Sequence, residues 1–249
     1  MAELYVGGTL TSLTDWEGYV SYVIFYAGCN LRCQYCHNPD LILQRNGEGK
    51  TVSHLLEDIR NSRLIDAVIH TGGEPTEQNP FYLQSLIQAL YNDDISQKLD
   101  TNGTSYGIVK KIIYFLDKIS LDLKAPPVRF RKLDNYLEPG MYDIVTGVDC
   151  SQKIIDIDRT LKLGDTTEVK IEGRTTIVPN LIYTEQHIRD ILEWAVPYID
   201  EYTLQVFRNE VVLNPVLRAI SPPTREHMEM LADVAKEYLP NVNIRPHAS

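Results

Sequence analysis

Three cysteines stand close together in the first part of the chain. Cys29, Cys33 and Cys36 have the spacing C-x3-C-x2-C and follow an apolar, β-branched run that predicts a strand. Three thiolates on one loop can serve one metal centre, as the cysteine runs of ferredoxins do. The remaining cysteine, Cys150, lies 114 residues further on. One iron of a four-iron cluster would therefore stay open to a substrate or cofactor, like the vacant position of a catalytic metal site.

Two other interpretations of the cysteine loop remain open at this point. One is a structural zinc site with His37 as the fourth ligand. The other is a set of buried thiols packed as small hydrophobic side chains, which the interspersed Asn30, Arg32 and Gln34 disfavour. Cys150 is predicted to be a buried or partly buried free thiol.

The composition indicates an ordinary globular protein. The chain has 249 residues, of which 43% are hydrophobic and 23% charged, and α/β barrels of this length are commonly one domain. The 24 basic and 34 acidic residues give a net charge of −10, which disfavours nucleic-acid binding. The first residues lack a secretory pattern, and no apolar run is long enough to span a bilayer. We therefore expect a cytoplasmic protein that does not associate with membranes.

Apolar runs alternate with stretches of helical periodicity along most of the chain. The predicted strands are 19–26, 66–70, 96–100, 119–124, the pair 169–171 and 175–178, and 202–207. The predicted helices are 53–62, 80–92, 106–115, 151–161, 184–198 and 224–239. This alternation predicts parallel βαβ units, about six in number. The expected fold is an α/β single domain, an open or partial (β/α)6 TIM-like barrel, with its chemistry at the carboxyl ends of the strands.

Two glycine-containing turns follow predicted strands. In Thr71-Gly72-Gly73-Glu74-Pro75 the paired glycines let the backbone approach a ligand, and the Glu74 carboxylate could accept from an ammonium group. The alternative is an ordinary turn before a proline-initiated helix. In Asp100-Thr101-Asn102-Gly103, Thr101 and Asn102 offer a hydroxyl and an amide to a polar ligand, although a simple tight turn has the same residues.

Charged residues also occur within predicted strands. The strand period of two places Ser120, Asp122 and Lys124 on one face, where the charges must be paired with each other or bound to a ligand. Arg174 comes before an apolar run, and its planar guanidinium suits a carboxylate. A surface arginine at the start of a strand is the alternative.

The cysteine motif, with the aromatic Tyr35 before its third cysteine, resembles the signature of radical S-adenosylmethionine (SAM) enzymes. The continuation Tyr35-Cys36-His37-Asn38-Pro39-Asp40 resembles the subgroup that activates glycyl-radical enzymes, and residues 11–18 look like the lead-in of activases of anaerobic ribonucleoside-triphosphate reductase. The similarity covers most of the chain and is weak after about Val178. It implies a radical SAM domain over 1–249, with a lead-in at 1–18, a core at about 19–208 and a C-terminal helix and tail at 222–249.

The resemblance implies two cofactors and their ligands. A [4Fe-4S] cluster would be held by Cys29, Cys33 and Cys36, which are the catalytic residues. The SAM contacts implied by the family are Tyr35, Gly72, Gly73, Glu74, Thr101, Asn102, Asp122, Lys124 and Arg174. Within this set the Gly-Gly-Glu motif would meet the amino group of SAM, while Asp122 and Lys124 would lie near its methionine end. Arg174 would meet the SAM carboxylate or pair with Asp122.

The resemblance also implies partners. The substrate would be a glycyl-radical enzyme, with anaerobic ribonucleotide reductase as the first candidate, and the electron donor would be a flavodoxin or ferredoxin. The long irregular segment Ala125–Cys150, with Arg129, Arg131 and Lys132, is predicted to be a lid or docking loop, or else a short helix within solvated loop. Other functions stay open: a radical SAM enzyme acting on a small molecule, such as those forming 7-deazaguanine, one acting on tRNA, and a non-catalytic iron–sulfur or zinc module.

Overall fold

The computed structural model describes residues 3–62, 64–127, 132–133, 136–137 and 140–245. The strands in this part of the chain are β1 (Leu4–Ser12), β2 (Ser21–Tyr26), β3 (Glu48–Lys50), β4 (Ala67–Gly72), β5 (Ser96–Thr101), β6 (Lys118–Asp122), β7 (Lys132–Leu133), β8 (Tyr136–Leu137), β9 (Lys170–Ile177), β10 (Glu201–Val206) and β11 (Val242–Arg245). The helices are α1 (Val52–Asn61), α2 (Pro80–Asn92), α3 (Tyr106–Ile112), α4 (Met141–Thr146), α5 (Ser151–Leu161), α6 (Glu185–Ala195) and α7 (Arg225–Lys236).

Nine of these strands form one sheet in the order β11-β10-β9-β6-β5-β4-β2-β1-β3. From β2 to β11 every neighbouring pair is parallel, whereas β1 runs antiparallel to β2 and β3 antiparallel to β1. The sheet does not close between β3 and β11. This architecture confirms the expected open, barrel-like α/β fold in a single domain. All the parallel strands end at the same face, which collects the loops that follow them.

The helices cover the sheet through one apolar stripe each. In α6 the buried residues Ile188, Ile191, Leu192 and Ala195 recur at the spacing of one helix face. The helix begins after Thr184, whose hydroxyl accepts from the backbone N–H of His187 and so satisfies one of the free donors of the first turn. The polar face is left to solvent. The opposite, inward face of the sheet carries the charged residues described below.

The structure corrects several predicted elements. The two strand pieces at 169–171 and 175–178 are one strand, β9, because the polar residues Glu172 and Arg174 that interrupt the apolar pattern are paired inside the barrel. Arg174 therefore lies within a strand and not at its start. The helix predicted over 184–198 ends as an α-helix at Ala195, just before Pro197, which cannot donate a helical hydrogen bond.

The strands β1, β3, β7, β8 and β11 and the helix α4 were not predicted. In β1, Gly7, Gly8 and Thr9 interrupt any apolar alternation, and these residues are exposed. The strand conformation here therefore comes from pairing with β2. In the segment 125–150, α4 occupies the described part near its end, while Arg129, Arg131 and the side chain of Lys132 lie outside the described residues. The lid or docking role of this segment remains a prediction. Among the described residues, no helix combines the length and apolar character needed to cross a membrane.

Candidate active site at the carboxyl ends of the strands

The cysteine loop leaves the carboxyl end of β2 and is held by backbone hydrogen bonds. Gly28 donates to the carbonyl of Leu41 at 2.7 Å and Cys29 to that of Ile42 at 3.0 Å. The three thiols on this loop are partly exposed. Two backbone N–H groups point at sulfur: that of Leu31 lies 3.5 Å from Cys29 Sγ, and that of Asn38 bonds to Cys36. Such amide donors stabilise thiolates and are typical of iron–sulfur sites.

Burial makes these thiols reluctant to ionise on their own. It raises the pKa of Cys29 to about 12 and that of Cys33 to about 11, and the pKa of Cys36 is also raised. The Lys124 ammonium group opposes this shift at each of them. Cysteine binds metal as the thiolate, so loading of the site must release protons. Buried sulfurs with amide donors and a nearby cation fit an anionic cluster.

The sulfurs do not surround a single point. Among the described residues, no three histidine, cysteine or acidic side chains lie close enough together to hold one metal ion. In a four-iron cluster each cysteine binds a different iron, so its ligands need not converge on one atom. Three cysteine sulfurs that do not meet at one point therefore fit the cluster that the sequence motif predicts.

The glycine pair at the end of β4 packs directly against the cysteine loop. Gly72 has φ +110°, and a Cβ there would lie 2.5 Å from the backbone nitrogen of Tyr26. A Cβ on Gly73 would collide with the carbonyl oxygen of Gly28. Only glycine permits this approach at both positions. The close packing fixes the turn that carries Glu74 relative to the cysteines.

Glu74 is buried, with 1% of its surface exposed, and its carboxylate is fully engaged. Its Oε1 accepts from the N–H of Thr76 at 3.1 Å, from Thr76 Oγ1 at 2.6 Å and from Thr101 Oγ1 at 2.7 Å, and its Oε2 accepts from the N–H of Asn102 at 2.7 Å. Burial raises the pKa of Glu74, and these donors offset part of that rise. The bonding favours a role in joining the ends of β4 and β5 over direct contact with a ligand.

Thr101 and Asn102 belong to the same network of loop contacts. The Nδ2 of Asn102 donates to Asn30 Oδ1 at 3.0 Å, and Asn30 Nδ2 donates to Thr104 Oγ1 at 2.7 Å. Asn30 lies between Cys29 and Cys33, so this chain of bonds ties the cysteine loop to the end of β5. Tyr35, which was also predicted to bind SAM, is buried in the hydrophobic core with 6% of its surface exposed.

The inward faces of β5, β6 and β9 carry an ion-pair network. Arg174 places Nη1 3.1 Å from Asp100 Oδ1 and Nη2 3.0 Å from Asp122 Oδ1. Lys124 Nζ lies 2.8 Å from the other oxygen of Asp122, and Lys98 Nζ lies 3.4 Å from Asp100 Oδ1. The expected pairing of Arg174 with Asp122 is thus present. Arg174 also pairs with Asp100, whose position in the site the sequence analysis missed.

The network sets the charge of each member. Burial alone would raise the pKa of Asp100 and of Asp122, but Arg174, with Lys98 and Lys124 respectively, holds both below their usual range. Burial would likewise lower the pKa of Lys124, yet the Asp122 carboxylate holds it well above the ordinary lysine value. Asp100, Asp122, Arg174 and Lys124 are therefore charged at neutral pH, whereas burial lowers the pKa of Lys98, the fifth member of the network.

A cavity of about 630 Å³ opens among these elements. The side chains that line it include Thr71, Asp100, Asp122, Arg174, Thr176, Gln205, Arg208, Glu210, Arg245 and, from the cysteine loop, His37 and Asn38. Of the predicted SAM residues, only Asp122 and Arg174 line it. Gln205 was not predicted as a site residue, although the strand period of two in β10 places it on one face with Glu201 and Thr203.

A family model for the radical SAM superfamily matches residues 23–195. The chain belongs to the radical SAM superfamily. It is an enzyme, and the cofactors of its superfamily are a [4Fe-4S] cluster and SAM. The match begins within β2 and ends with α6, so it includes the cysteine loop and the ends of β4, β5, β6 and β9 but not those of β10 and β11.

Two relatives extend over nearly the whole chain. A protein of Methanocaldococcus jannaschii, described as a candidate glycyl-radical enzyme activating enzyme, is 30% identical over 247 residues, which cover 98% of this chain and 97% of the relative. The pyruvate formate-lyase-activating enzyme of Clostridium pasteurianum is 28% identical over 241 residues, covering 91% and 94%. Among solved structures, a radical SAM methyltransferase from Sphaerobacter thermophilus matches with a TM-score of 0.66 at 11% identity, covering 90% of this chain and 66% of that one. This last likeness is one of fold.

Replacing Glu74 should weaken SAM binding and leave cluster assembly intact. In Glu74→Ala, four buried donors lose their acceptor, so the ends of β4 and β5 should come apart. We expect at least a tenfold loss of SAM affinity in reconstituted protein, measured by equilibrium dialysis, with iron content unchanged. Glu77→Ala is the matched control, since Glu77 is exposed and its one hydrogen bond, to Ser105, lies at the surface. Equal SAM affinity in the two variants would show that Glu74 does not frame the SAM pocket.

Proposed function

We propose that this enzyme reductively cleaves SAM at a [4Fe-4S] cluster held by Cys29, Cys33 and Cys36, and installs a glycyl radical on a partner protein. The observation that supports the proposal most is the meeting of the cysteine loop with the ends of β4, β5, β6 and β9 around one polar cavity. The two relatives that span nearly the whole chain support the choice of a glycyl-radical enzyme as substrate.

Each group of residues has a distinct task in this proposal. The three thiolates hold the cluster, and the N–H groups of Leu31 and Asn38 stabilise two of them. Tyr35 supports the cysteine loop from the core. The rigid edge of the SAM pocket would be formed by Gly72, Gly73, Glu74, Thr101 and Asn102, and backbone groups of this turn would bind the amino group of SAM. The cluster and SAM, when bound, supply the electron and the 5′-deoxyadenosyl radical that abstracts hydrogen.

The ion-pair network orients the methionine end of SAM. Asp122 and Arg174 line the cavity with charges of opposite sign, suited to the amino and carboxylate groups of an amino acid. Lys124 is held by Asp122 and lies close enough to Cys33 to affect its pKa, so it links this network to the cluster loop electrostatically. Because these charges already compensate one another, the site stays ordered before SAM arrives.

The open sheet suits a polypeptide substrate. An incomplete barrel leaves a side through which a loop carrying glycine can reach the cavity, whereas a closed barrel admits small molecules through its ends. We propose a flavodoxin or ferredoxin as the electron donor, and a cytoplasmic location, where such carriers are found. The resemblance at residues 11–18 favours anaerobic ribonucleotide reductase as the first partner to test.

Electron paramagnetic resonance tests this function directly. Reduced enzyme incubated with SAM and a candidate partner should produce the doublet of a glycyl radical, and air should then cleave the partner chain at that glycine. An anaerobic ribonucleotide reductase and a pyruvate formate-lyase are the two partners to compare. A doublet with pyruvate formate-lyase alone would identify that enzyme, and not the reductase, as the partner. If neither gives a doublet while SAM is still cleaved, a small molecule or RNA would have to be the substrate.

A further inference from the structure

Gln34, between the second and third cysteines, connects the cysteine loop to α4. Its backbone N–H donates to the carbonyl of Val145 at 3.1 Å, and its Nε2 donates to that of Ile144 at 2.7 Å. The N–H of Arg32 donates to the carbonyl of Thr146 at 2.8 Å. The last carbonyls of a helix have no partner within the helix, so the cysteine loop here satisfies three consecutive ones. The loop and the end of α4 are thereby fixed to each other.

Gln34 also binds the connection between β10 and α7. The N–H of Asn214 donates to the carbonyl of Gln34 at 2.8 Å, and Asn214 Nδ2 donates to Gln34 Oε1 at 2.7 Å. Asn214 Oδ1 accepts from the N–H of Val216 and begins the short helical turn that follows. A further contact joins His37 Nδ1 and the carbonyl of Val211 at 3.2 Å. We call residues 207–214 the strap.

The strap forms one wall of the cavity. Arg208, Glu210 and Val211 line the cavity beside His37 and Asn38 of the cysteine loop. Val211 is 49% exposed, so this wall also faces outward, where a protein substrate would approach. The strap holds none of the three cysteines and neither of the ion-paired residues Asp122 and Arg174, with which it shares the cavity. Its position relative to the cysteine loop is fixed by the bonds between Asn214 and Gln34 together with the contact between His37 and Val211.

We propose that Asn214 is a positioning residue that holds the strap against the cysteine loop through Gln34, and so sets the wall that the protein substrate contacts. This inference rests on the proposed function for the identity of the substrate. Loosening the strap should weaken the productive fit of the partner without disturbing the cluster or the cleavage of SAM alone. Asn214 would therefore act on KM for the partner and not on the chemical step.

The variant to test is Asn214→Ala, with Asn209→Ala as its matched control. Asn209 lies on the same strap, but its Nδ2 donates to the carbonyl of Arg218 and does not reach the cysteine loop. For Asn214→Ala, which loses two side-chain hydrogen bonds, we expect about a tenfold rise in KM for the partner. The kcat of radical formation, the cleavage of SAM without partner, and the iron and sulfide content should stay within twofold. Asn209→Ala should resemble the unaltered enzyme throughout.

Asn214→Asp separates the strap contact from the local turn. Aspartate keeps the oxygen that accepts from Val216 but loses the donor to Gln34, whose own Nε2 is held by Ile144. A persistent rise in KM supports the proposal, and recovery of the unaltered KM would mean that Asn214 serves only its turn. In Gln34→Ala/Asn214→Ala the rise should be smaller than the product of the two single effects, because both variants remove the same bond.

Hydrogen–deuterium exchange makes the test independent of the partner. In Asn214→Ala the amides of residues 207–214 and 32–36 should exchange faster than in Asn209→Ala. If the unaltered enzyme forms no glycyl radical on any partner, the proposed function fails while this measurement still decides the strap contact. Equal exchange in the two variants, or equal KM where a partner is active, would overturn the proposal.

Discussion

Cys29→Ala, Cys33→Ala and Cys36→Ala should each abolish cluster assembly, whereas Cys150→Ala should retain it. Unaltered protein reconstituted without oxygen is expected to bind about four irons and four sulfides per chain, since three thiolates suit a four-iron cluster with one open iron. Each substitution leaves two thiols, which is too few to hold the cluster stably. Iron and sulfide analysis together with the visible absorption spectrum measures the loss.

Cys150 is the matched control because it is also a buried thiol near the loop. It has no exposed surface and lies 3.1 Å from the hydroxyl of Thr146, one of the residues whose carbonyl meets the cysteine loop. Loss of the cluster in Cys150→Ala would mean that this thiol takes part in the metal site. Stoichiometric zinc in the unaltered protein, with no cluster formed from added iron and sulfide, would contradict the assignment altogether.

Arg174→Met should lower the free energy of unfolding by about 3 kcal/mol, since removing one partner of a buried pair leaves uncompensated charge. Two carboxylates, Asp100 and Asp122, would lose their shared cation at 3.0 to 3.1 Å. Chemical denaturation of cluster-free protein, followed by circular dichroism, measures this loss. Arg189→Met is the control: its pair with Glu237 is exposed, and its loss should cost far less.

The difference in free energy of unfolding between unaltered protein and Arg174→Met should depend on pH, because the pKa values of two aspartates are shifted. Arg174 lowers the pKa of Asp100 and of Asp122 in the folded protein. Their stabilisation is therefore fully present above the unfolded aspartate pKa of about 4, and is lost as the pH falls through the lower folded values. The stability gap between unaltered protein and Arg174→Met should be largest at neutral pH and shrink in acid. A gap that is constant from pH 7 to pH 3 would show that Arg174 acts through packing alone.

The sequence predicted the parts of the fold that have strong local patterns. The run before the cysteines and the apolar run ending at His70 are β-branched and bounded by glycine, and both are strands of the parallel sheet. The cysteine loop was recognisable because its spacing is rare outside metal sites. Strands β1 and β3 were missed because they have little apolar alternation, and β11 because it is only four residues long; all three are ordered by neighbours distant in the chain.

Side-chain roles within the site were harder to predict than its location. Glu74 looked like a ligand for an ammonium group, yet Thr76 in its own loop gives it two donors, and Thr101 and Asn102 at the end of β5 give it two more. Likewise, Asp100 was assigned to a turn because its partner, Arg174, is 74 residues further along the chain. The contact between Gln34 and Asn214 joins residues 180 positions apart, and no local sequence pattern predicts it.

Transfer of deuterium from the partner's glycine is the most direct test of the proposed reaction. The partner is prepared with deuterium on the glycine Cα, and reduced enzyme is supplied with unlabelled SAM under anaerobic conditions. We expect the 5′-deoxyadenosine recovered from the reaction to carry one deuterium, as read by mass spectrometry, in step with the growth of the glycyl-radical signal. Formation of 5′-deoxyadenosine without label from the partner, together with labelling by a deuterated small molecule or RNA, would contradict it.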